Sequence, residues 1–199
     1  WDIPVMQRVL PMWVADMDFQ IAPEISDALH ERINHDVFGY TIASESLEQT
    51  IVSRMKDLYD WDIKSEWLVW LPGLETSLAL AASSIGVGGD GVMCFPPIYP
   101  PFYTGPKAAH RKSVQVSLKL SGDNWEIDYE VMKKALKENP TTKLLLFCNP
   151  HNPVGKVFSE SELIELGNFC CEHDLKICSD EVHCDLILND KKQDRKSVV

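Results

Sequence analysis

The stretch KLLLFCNPHNPVGKVF, residues 143–158, combines two patterns that decide the fold. Its first part is almost continuously apolar, which is typical of a strand buried on both faces of a parallel sheet. Its second part holds two Asn-Pro pairs, a His and a Gly, and each proline biases the preceding Asn away from helix. The sequence therefore predicts a central strand followed by a stiff polar loop, which is either simple punctuation or a ligand-binding element.

Strand and helix patterns alternate along most of the chain. Alternation at these lengths indicates right-handed βαβ crossovers and a largely parallel sheet. The predicted fold class is therefore α/β, a three-layer α/β/α arrangement with a mainly parallel sheet, preceded by an N-terminal helical segment. Strands are predicted at residues 68–71, 91–95, 113–118, 143–148 and 175–179, and helices at residues 74–85 and 127–137 and from Pro23, from Ser44 or Ser46, and from Ser159.

The composition is that of an ordinary globular protein, with 45% hydrophobic and 25% charged residues among 199. The formal net charge of −11 argues against nucleic acid or an anionic membrane face as a partner. No apolar run approaches the ~20 residues of a membrane span, and no signal-peptide pattern is found. Six cysteines without paired spacing favour a cytoplasmic location and no metal site. The opening at Trp1, without Met, predicts a piece of a longer chain.

Polar loops follow four of the predicted strands, and ligands in open parallel sheets bind at the carboxyl ends of the strands. The Pro-Gly turn at Gly73 opens a helix and presents backbone N–H groups to a phosphate. Tyr99 offers a ring for stacking, and Asn152 offers an amide to a phenolic or carbonyl oxygen. Asp180 offers a carboxylate to a buried cationic donor. Pyridoxal 5′-phosphate (PLP), a phosphorylated nitrogen heterocycle with a phenolic oxygen, satisfies all four.

Each of these signals has a simpler interpretation when it is taken alone. A Pro-Gly pair before a helix is usually just a turn, and a single tyrosine such as Tyr99 is usually a packed side chain. Asp180 alone is typical of a cap, and Asn152 alone is typical of loop chemistry. Their occurrence at the ends of consecutive strands of one sheet favours a shared ligand.

Six segments, spread over nearly the whole chain in unbroken order, carry a resemblance to a known family. The segments are LPMWVADMDF (residues 10–19), FGYT (38–41), PG (72–73), PPIY (96–99), NPHNPVG (149–155) and SDEVH (179–183). With them the chain resembles fold-type I PLP enzymes of the class I/II aminotransferase superfamily. Within that superfamily it resembles the MalY/PatB-type cystathionine β-lyases, which are C–S lyases.

The resemblance implies a role for each residue of the predicted site. Asp180 matches the carboxylate that keeps the cofactor's pyridine nitrogen protonated. Asn152 and His183 match the two neighbours of the phenolic oxygen, and Tyr99 matches the aromatic residue that stacks on the ring. The residues matching the phosphate-binding turn are Gly73, Leu74 and Glu75.

Three further positions are implied on the N-terminal side of the chain. Tyr40 matches a tyrosine that reaches the cofactor phosphate of the neighbouring subunit, which implies a homodimer and a catalytic role beside Asp180. Ala15 and Asp16 match a stretch that lines the substrate side, where Asn152 is also expected to contact the substrate.

The activity implied by the resemblance is a PLP-dependent β-elimination from a sulfur amino acid, which yields a thiol, pyruvate and ammonia. The implied division is an N-terminal segment, residues 1–37, and a partial PLP-binding large domain, residues 38–199. The Schiff-base lysine and the arginine that binds the substrate carboxylate are expected beyond residue 199, so this part alone is expected to be inactive.

Two alternatives stay open at this point. One is a class I/II aminotransferase, which shares the four loops, and the other is a non-catalytic piece that keeps only a binding or dimerisation surface. A dinucleotide-binding domain is disfavoured because no G-x-G-x-x-G follows an early strand. No lysine of the chain is expected to be both buried and poised for reaction, and Lys156, the nearest to the predicted site in sequence, is expected to face solvent.

Overall fold

The computed structural model describes residues 17–188, and the chain divides into two compact units between Ala43 and Ser44. The division at residues 37 and 38 that the resemblance implies stays a prediction, because it concerns the complete protein. None of the helices formed by residues 17–188 combines the length and the apolar character needed to cross a lipid bilayer.

The first unit contains helix α1 (Pro23–His35), which begins and ends on local signals. Pro23 occupies the first turn, where its missing N–H would have had no helical partner. Asp36 ends the helix in the left-handed conformation, with its N–H bonded to the carbonyl of Ile33. The helix predicted from Pro23 carries an apolar stripe, but α1 has no buried residue, and Leu29 is 55% exposed.

The second unit is a three-layer α/β/α structure, as the sequence predicts. Four parallel strands form one sheet in the order β2-β1-β5-β6, and β3 and β4 form a separate antiparallel hairpin. The strands are β1 (Gly91–Cys94), β2 (Lys112–Gln115), β3 (Lys119–Ser121), β4 (Asn124–Glu126), β5 (Thr142–Cys148) and β6 (Lys176–Asp180). The helices are α2 (Glu45–Tyr59), α3 (Leu74–Ser84), α4 (Pro101–Ala108), α5 (Tyr129–Glu138) and α6 (Glu160–Glu172), with a 3-10 turn at Ser65–Trp67.

Strand β5 lies in the middle of this unit, and its burial on both faces confirms the prediction from its apolar run. Successive side chains of a strand point to opposite faces of the sheet. Leu145 and Phe147 therefore pack in a core with residues of α5 and α6. Leu144 and Leu146 pack in a second core with residues of α3 and α4.

Capping side chains explain where three of the helices begin. Ser44, rather than Ser46, caps α2 by accepting a hydrogen bond from the backbone N–H of Leu47. Asp128 caps α5 by accepting hydrogen bonds from the backbone N–H groups of Glu130 and Val131. Ser159 and Glu162 form a reciprocal capping box at the start of α6, the helix predicted from Ser159.

Two of the predicted strands differ from the structure. Residues 68–71 form no strand, and within residues 17–188 no segment pairs with them; Val69 is 76% exposed. An apolar segment becomes a strand only when a neighbour satisfies its backbone polar groups. The strand predicted at residues 113–118 forms as the shorter β2, although the N–H of Val116 still donates to the carbonyl of Cys94 over 3.0 Å.

Candidate active site

The loops that follow β1, β5 and β6 meet at one edge of the sheet because these strands run parallel. Two backbone hydrogen bonds join the three loops. The N–H of Tyr99 donates to the carbonyl of Asn152 over 3.1 Å, and the N–H of Asn149 donates to the carbonyl of Asp180 over 3.0 Å. Three of the four predicted loops are thus brought together. The fourth, the turn at Gly73, joins them through the hydrogen bond between the side chains of Tyr99 and Glu75.

Two buried polar residues hold the loop at residues 149–155 in shape. The ring nitrogens of His151 lie 3.1 Å from the carbonyl oxygens of Cys148, Phe95 and Pro97. Burial lowers the pKa of His151, although its three carbonyl neighbours act in the opposite direction. Asn149 accepts a hydrogen bond on Oδ1 from the N–H of Phe158 over 3.2 Å. Both residues are satisfied internally, which leaves them a scaffolding role.

Asn152 differs from these two residues because its side chain stays available. It is half-buried, and its amide has no hydrogen-bond partner among residues 17–188. It lines a cavity of about 460 Å³ together with His183. An amide that can both donate and accept is therefore presented to this cavity with its backbone fixed.

Asp180 is the last residue of β6 and is only 6% exposed. Its Oδ1 accepts a hydrogen bond from the N–H of Val182 over 3.0 Å. Burial raises the pKa of its carboxyl group, while this hydrogen bond and the nearby His183 act in the opposite direction. An ionised carboxylate in this position is costly, and a cationic donor would offset that cost.

The structure does not place Asp180 and Asn152 in the same cavity. Asp180 lies two positions after Cys178, so it points to the sheet face that α3 covers. There it lines a second, largely apolar cavity of about 410 Å³, which also contacts Leu71 and Ser77. The two side chains thus line different cavities at the same edge of the sheet.

The turn before α3 is where the sequence predicts a phosphate site. Gly73 adopts a φ of 120°, which residues other than glycine rarely adopt, and it directly precedes the first residue of the helix. Leu74 and Glu75 are exposed on the first helical turn. The hydroxyl of Tyr99 donates to the Glu75 carboxylate, which raises the pKa of Tyr99 and joins this turn to the loop after β1.

The remaining predicted residues lie outside the second unit. Tyr40 belongs to the first unit, where its side chain is fully exposed. Ala15 and Asp16 lie outside the described residues, so their predicted position beside the substrate stays a prediction.

The sequence matches the model of one protein family, described as aminotransferase class I and II, over residues 9–198. The chain belongs to this family. The resemblance carried by the six segments is thereby confirmed.

Relatives of this aminotransferase-family chain include two curated bacterial proteins. Cystathionine beta-lyase PatB of Bacillus subtilis is 37% identical over 179 residues, which cover 90% of this chain and 46% of PatB. Protein MalY of Escherichia coli is 31% identical over 180 residues, which cover 90% of this chain and 46% of MalY. The chain spans about half the length of the curated relatives it matches.

Solved structures of the same family share its fold. Cystalysin from Treponema denticola, which contains PLP, has a TM-score of 0.86 at 34% identity, covering 94% of this chain and 47% of cystalysin. The PLP-bound C–S lyase from Staphylococcus hominis has the same TM-score and identity, covering 94% of this chain and 48% of the lyase.

One residue of this aminotransferase-family chain contradicts its prediction. Lys156 does not face solvent, because only 11% of its side chain is exposed and its ammonium group lies 2.7 Å from Glu162 Oε1. The turn at Gly155, with a φ of 68°, and the pairing of His151 with Lys156 direct the side chain toward α6. The sequence offered no signal for this burial, because the partner lies on a helix and not in the loop.

The sequence also does not reveal the apolar wall of the cavity that Asn152 lines. Val157, Leu186, Ile187 and Leu188 face the cavity that Asn152 and His183 line. These residues follow strands in the sequence, and their apolar pattern does not distinguish a cavity wall from an ordinary core. Within residues 17–188, the His, Cys, Asp and Glu side chains form no group of three that could hold a metal ion.

Proposed function

We propose that the complete protein containing this chain is a PLP-dependent C–S lyase that eliminates a thiol from a sulfur amino acid such as cystathionine, releasing pyruvate and ammonia. The observation that carries the proposal is the meeting of three polar loops at one sheet edge, with an unpartnered amide at Asn152 and a buried carboxylate at Asp180. Similarity to PatB and to PLP-bound C–S lyases supports the choice of chemistry.

The sheet edge offers a candidate partner for each polar group of PLP, although Asp180 and Asn152 line different cavities. When bound, PLP supplies an electron sink that stabilises negative charge at the substrate α-carbon. The Asp180 carboxylate would accept a hydrogen bond from a protonated ring nitrogen, and that cation would compensate for the burial of the carboxylate. Asn152 would donate its amide N–H to the phenolic oxygen, and His183, which borders the same cavity, would be a second neighbour of that oxygen.

The phosphate and the ring face have candidate partners as well. The backbone N–H groups of Leu74 and Glu75 lie in the first turn of α3, where amides lack helical partners and attract anions. Gly73 lets the backbone enter that turn without a side chain. Tyr99 is held by its hydrogen bond to Glu75, which fixes the ring for stacking.

We also propose that the complete protein is a cytoplasmic homodimer. Tyr40 supports the dimer, because a fully exposed tyrosine in a segment without buried residues is available to a neighbouring subunit. The cysteines among the described residues are free thiols, three of them buried, which suits a reducing compartment.

An aminotransferase is the second candidate, because the family match includes that activity. The two reactions differ in their need for an amino acceptor. We expect the full-length protein to release pyruvate and thiol from cystathionine without any added keto acid. Turnover that depends strictly on a keto acid would identify the aminotransferase instead, and no turnover in either assay would favour a non-catalytic protein.

Asp180→Ala tests the residue assignment in the same assay. Because the ring nitrogen would lose its anionic partner, we expect elimination to fall by at least ~100-fold while the far-UV circular dichroism spectrum stays unchanged. Asp123→Ala, which removes an exposed carboxylate from the turn between β3 and β4, is the matched control. Near-normal turnover of the Asp180 variant would contradict the proposed role.

A further inference from the structure

The side chain of Lys156 is more buried, and its ammonium group has more partners, than is usual for a lysine in a loop. Its Nζ donates to Glu162 Oε1 over 2.7 Å and to Asn124 Oδ1 over 2.9 Å. It also lies 5.3 Å from the centre of the Phe158 ring, within range of a cation–π contact. An ammonium group with 11% side-chain exposure is stable only with such partners. Helix α6, strand β4 and the end of the loop thus converge on one charge.

The backbone of Lys156 closes the loop that presents Asn152. The carbonyl of Lys156 accepts a hydrogen bond from the N–H of His151 over 2.8 Å. The N–H of Gly155 donates to the carbonyl of His151, also over 2.8 Å. Only four residues, including Asn152, lie between His151 and Lys156, so the position of Lys156 determines the position of the turn.

Glu162 connects this arrangement to the start of α6. Its Oε1 accepts from Lys156, while its Oε2 accepts from the backbone N–H of Ser159 over 2.7 Å. Burial opposes ionisation of Glu162, but the hydrogen bonds from Lys156 and Ser159 keep its pKa below the ordinary value. The carboxylate thus stays charged and joins the loop to the capping box of the helix.

We propose that Lys156 is a positioning residue, whose ammonium group, held by Glu162 and Asn124, fixes the turn after His151 and thereby aims the Asn152 amide at the cofactor's phenolic oxygen. This inference rests on the proposed function. Lys156 does not line the cavity itself, so it acts only through the backbone of the turn. The Asn152 amide has no hydrogen bond of its own within residues 17–188, so its direction depends on that backbone.

A double-mutant cycle in the full-length protein tests this role. The variants are Lys156→Met, Asn152→Ala and their combination, and the measured quantity is the PLP affinity of the apoprotein, followed by the absorbance of bound PLP. We expect Lys156→Met to weaken PLP binding by about 3- to 10-fold, and to have no further effect when Asn152 is already Ala, because the lost contact is then absent.

Two further variants separate positioning from general stability. Lys156→Arg keeps the charge and is expected to restore most of the affinity. Lys133→Met removes an exposed lysine that also contacts a glutamate, Glu130 at 2.8 Å, and is expected to change nothing at the site. In the absence of PLP, amide hydrogen exchange at His151 and Gly155 is expected to be at least ~5-fold faster in Lys156→Met than in the unmodified protein.

The possible failures are distinguishable. If Asn152→Ala weakens PLP binding but Lys156→Met changes neither affinity nor hydrogen exchange, the positioning role is wrong and the proposed function stands. Equal losses from Lys156→Met with and without the Asn152 side chain would show a general structural effect and would also overturn the inference. If Asn152→Ala leaves PLP affinity unchanged, the cofactor contact assigned to Asn152 is wrong, and the inference falls with it.

Discussion

Helices α1 and α6 have the same length and opposite environments. Both span 13 residues and both carry an apolar stripe at helical spacing. Helix α6 buries Leu163, Leu166, Phe169 and Cys170 against the sheet, whereas α1 buries no residue. Local sequence is therefore enough to define a helix, but burial of its apolar face also requires a partner surface, and none of the α1 residues is buried.

The largest expected effect comes from truncating the buried stripe. Leu166 is fully buried in the core shared by α5, α6 and the sheet. We expect Leu166→Ala to lower the free energy of unfolding by about 2–5 kcal/mol, because it removes apolar contacts and leaves a cavity. Urea unfolding followed by circular dichroism measures the change. A loss below about 1 kcal/mol would mean that α6 does not pack as described.

The second prediction concerns the first unit in the proposed homodimer. Tyr40 is fully exposed here, and we expect its hydroxyl to contact the cofactor phosphate of the neighbouring subunit. Tyr40→Phe should then weaken PLP binding by about 1–3 kcal/mol, as for the loss of one hydrogen bond to a charged group. Equilibrium titration of the apoprotein with PLP measures it. Unchanged affinity would leave Tyr40 without a cofactor role.

The third prediction is that one substitution in the second unit stabilises the chain, whereas most substitutions destabilise a protein. The folded-state pKa of Asp180 is raised above its ordinary value of 3.8 by burial. The folded state therefore favours the protonated carboxyl group. The contribution of this group to the free energy of unfolding is greatest below the ordinary pKa and is lost as the pH rises through the raised pKa. We expect Asp180→Asn to stabilise the ligand-free chain at pH 7 by on the order of 1 kcal/mol.

Unfolding curves between pH 3 and pH 8 test this sign. The advantage of Asp180→Asn should be absent at pH 3 and should grow as the pH rises. Asp123→Asn, at an exposed turn, should show no such trend. If Asp180→Asn were destabilising at pH 7, the carboxylate would have a compensating partner that the described contacts do not include.

The smallest effect is expected for the counterpart of Leu166 on α1. Leu29→Ala should change the free energy of unfolding of this chain by less than about 0.5 kcal/mol, because the side chain is 55% exposed and α1 has no buried residue. The same urea experiment as for Leu166 gives the comparison directly. A loss similar to that of Leu166→Ala would show that α1 is covered in solution.

Much of the fold was predictable because its signals are local. The apolar run of β5 fixes its burial, and the spacing of Ser159 and Glu162 fixes the start of α6. Residues 68–71 show where local reasoning fails, since a strand also needs a neighbour to pair with.

The sequence predicts which residues belong to the candidate site better than it predicts how they are arranged. The parallel strands bring the loops of Tyr99, Asn152 and Asp180 to one edge, as expected. That Asp180 and Asn152 line different cavities depends on the sheet face that Asp180 takes and on the path of the loop that carries Asn152. The burial of Lys156 depends on Asn124, a residue 32 positions earlier, and no sequence pattern within the loop predicts this contact.

The strand order also constrains how the sheet assembles in time. Gly91 of β1 pairs with Lys112 of β2, which lies 21 positions further on, and Leu144 of β5 pairs with Lys176 of β6, 32 positions further on. The central pairing of Gly91 with Thr142 spans 51 positions. Closing this longer loop costs about 0.8 kcal/mol more conformational entropy than closing the shortest one. We therefore expect the pairs β1–β2 and β5–β6 to form before β1 pairs with β5.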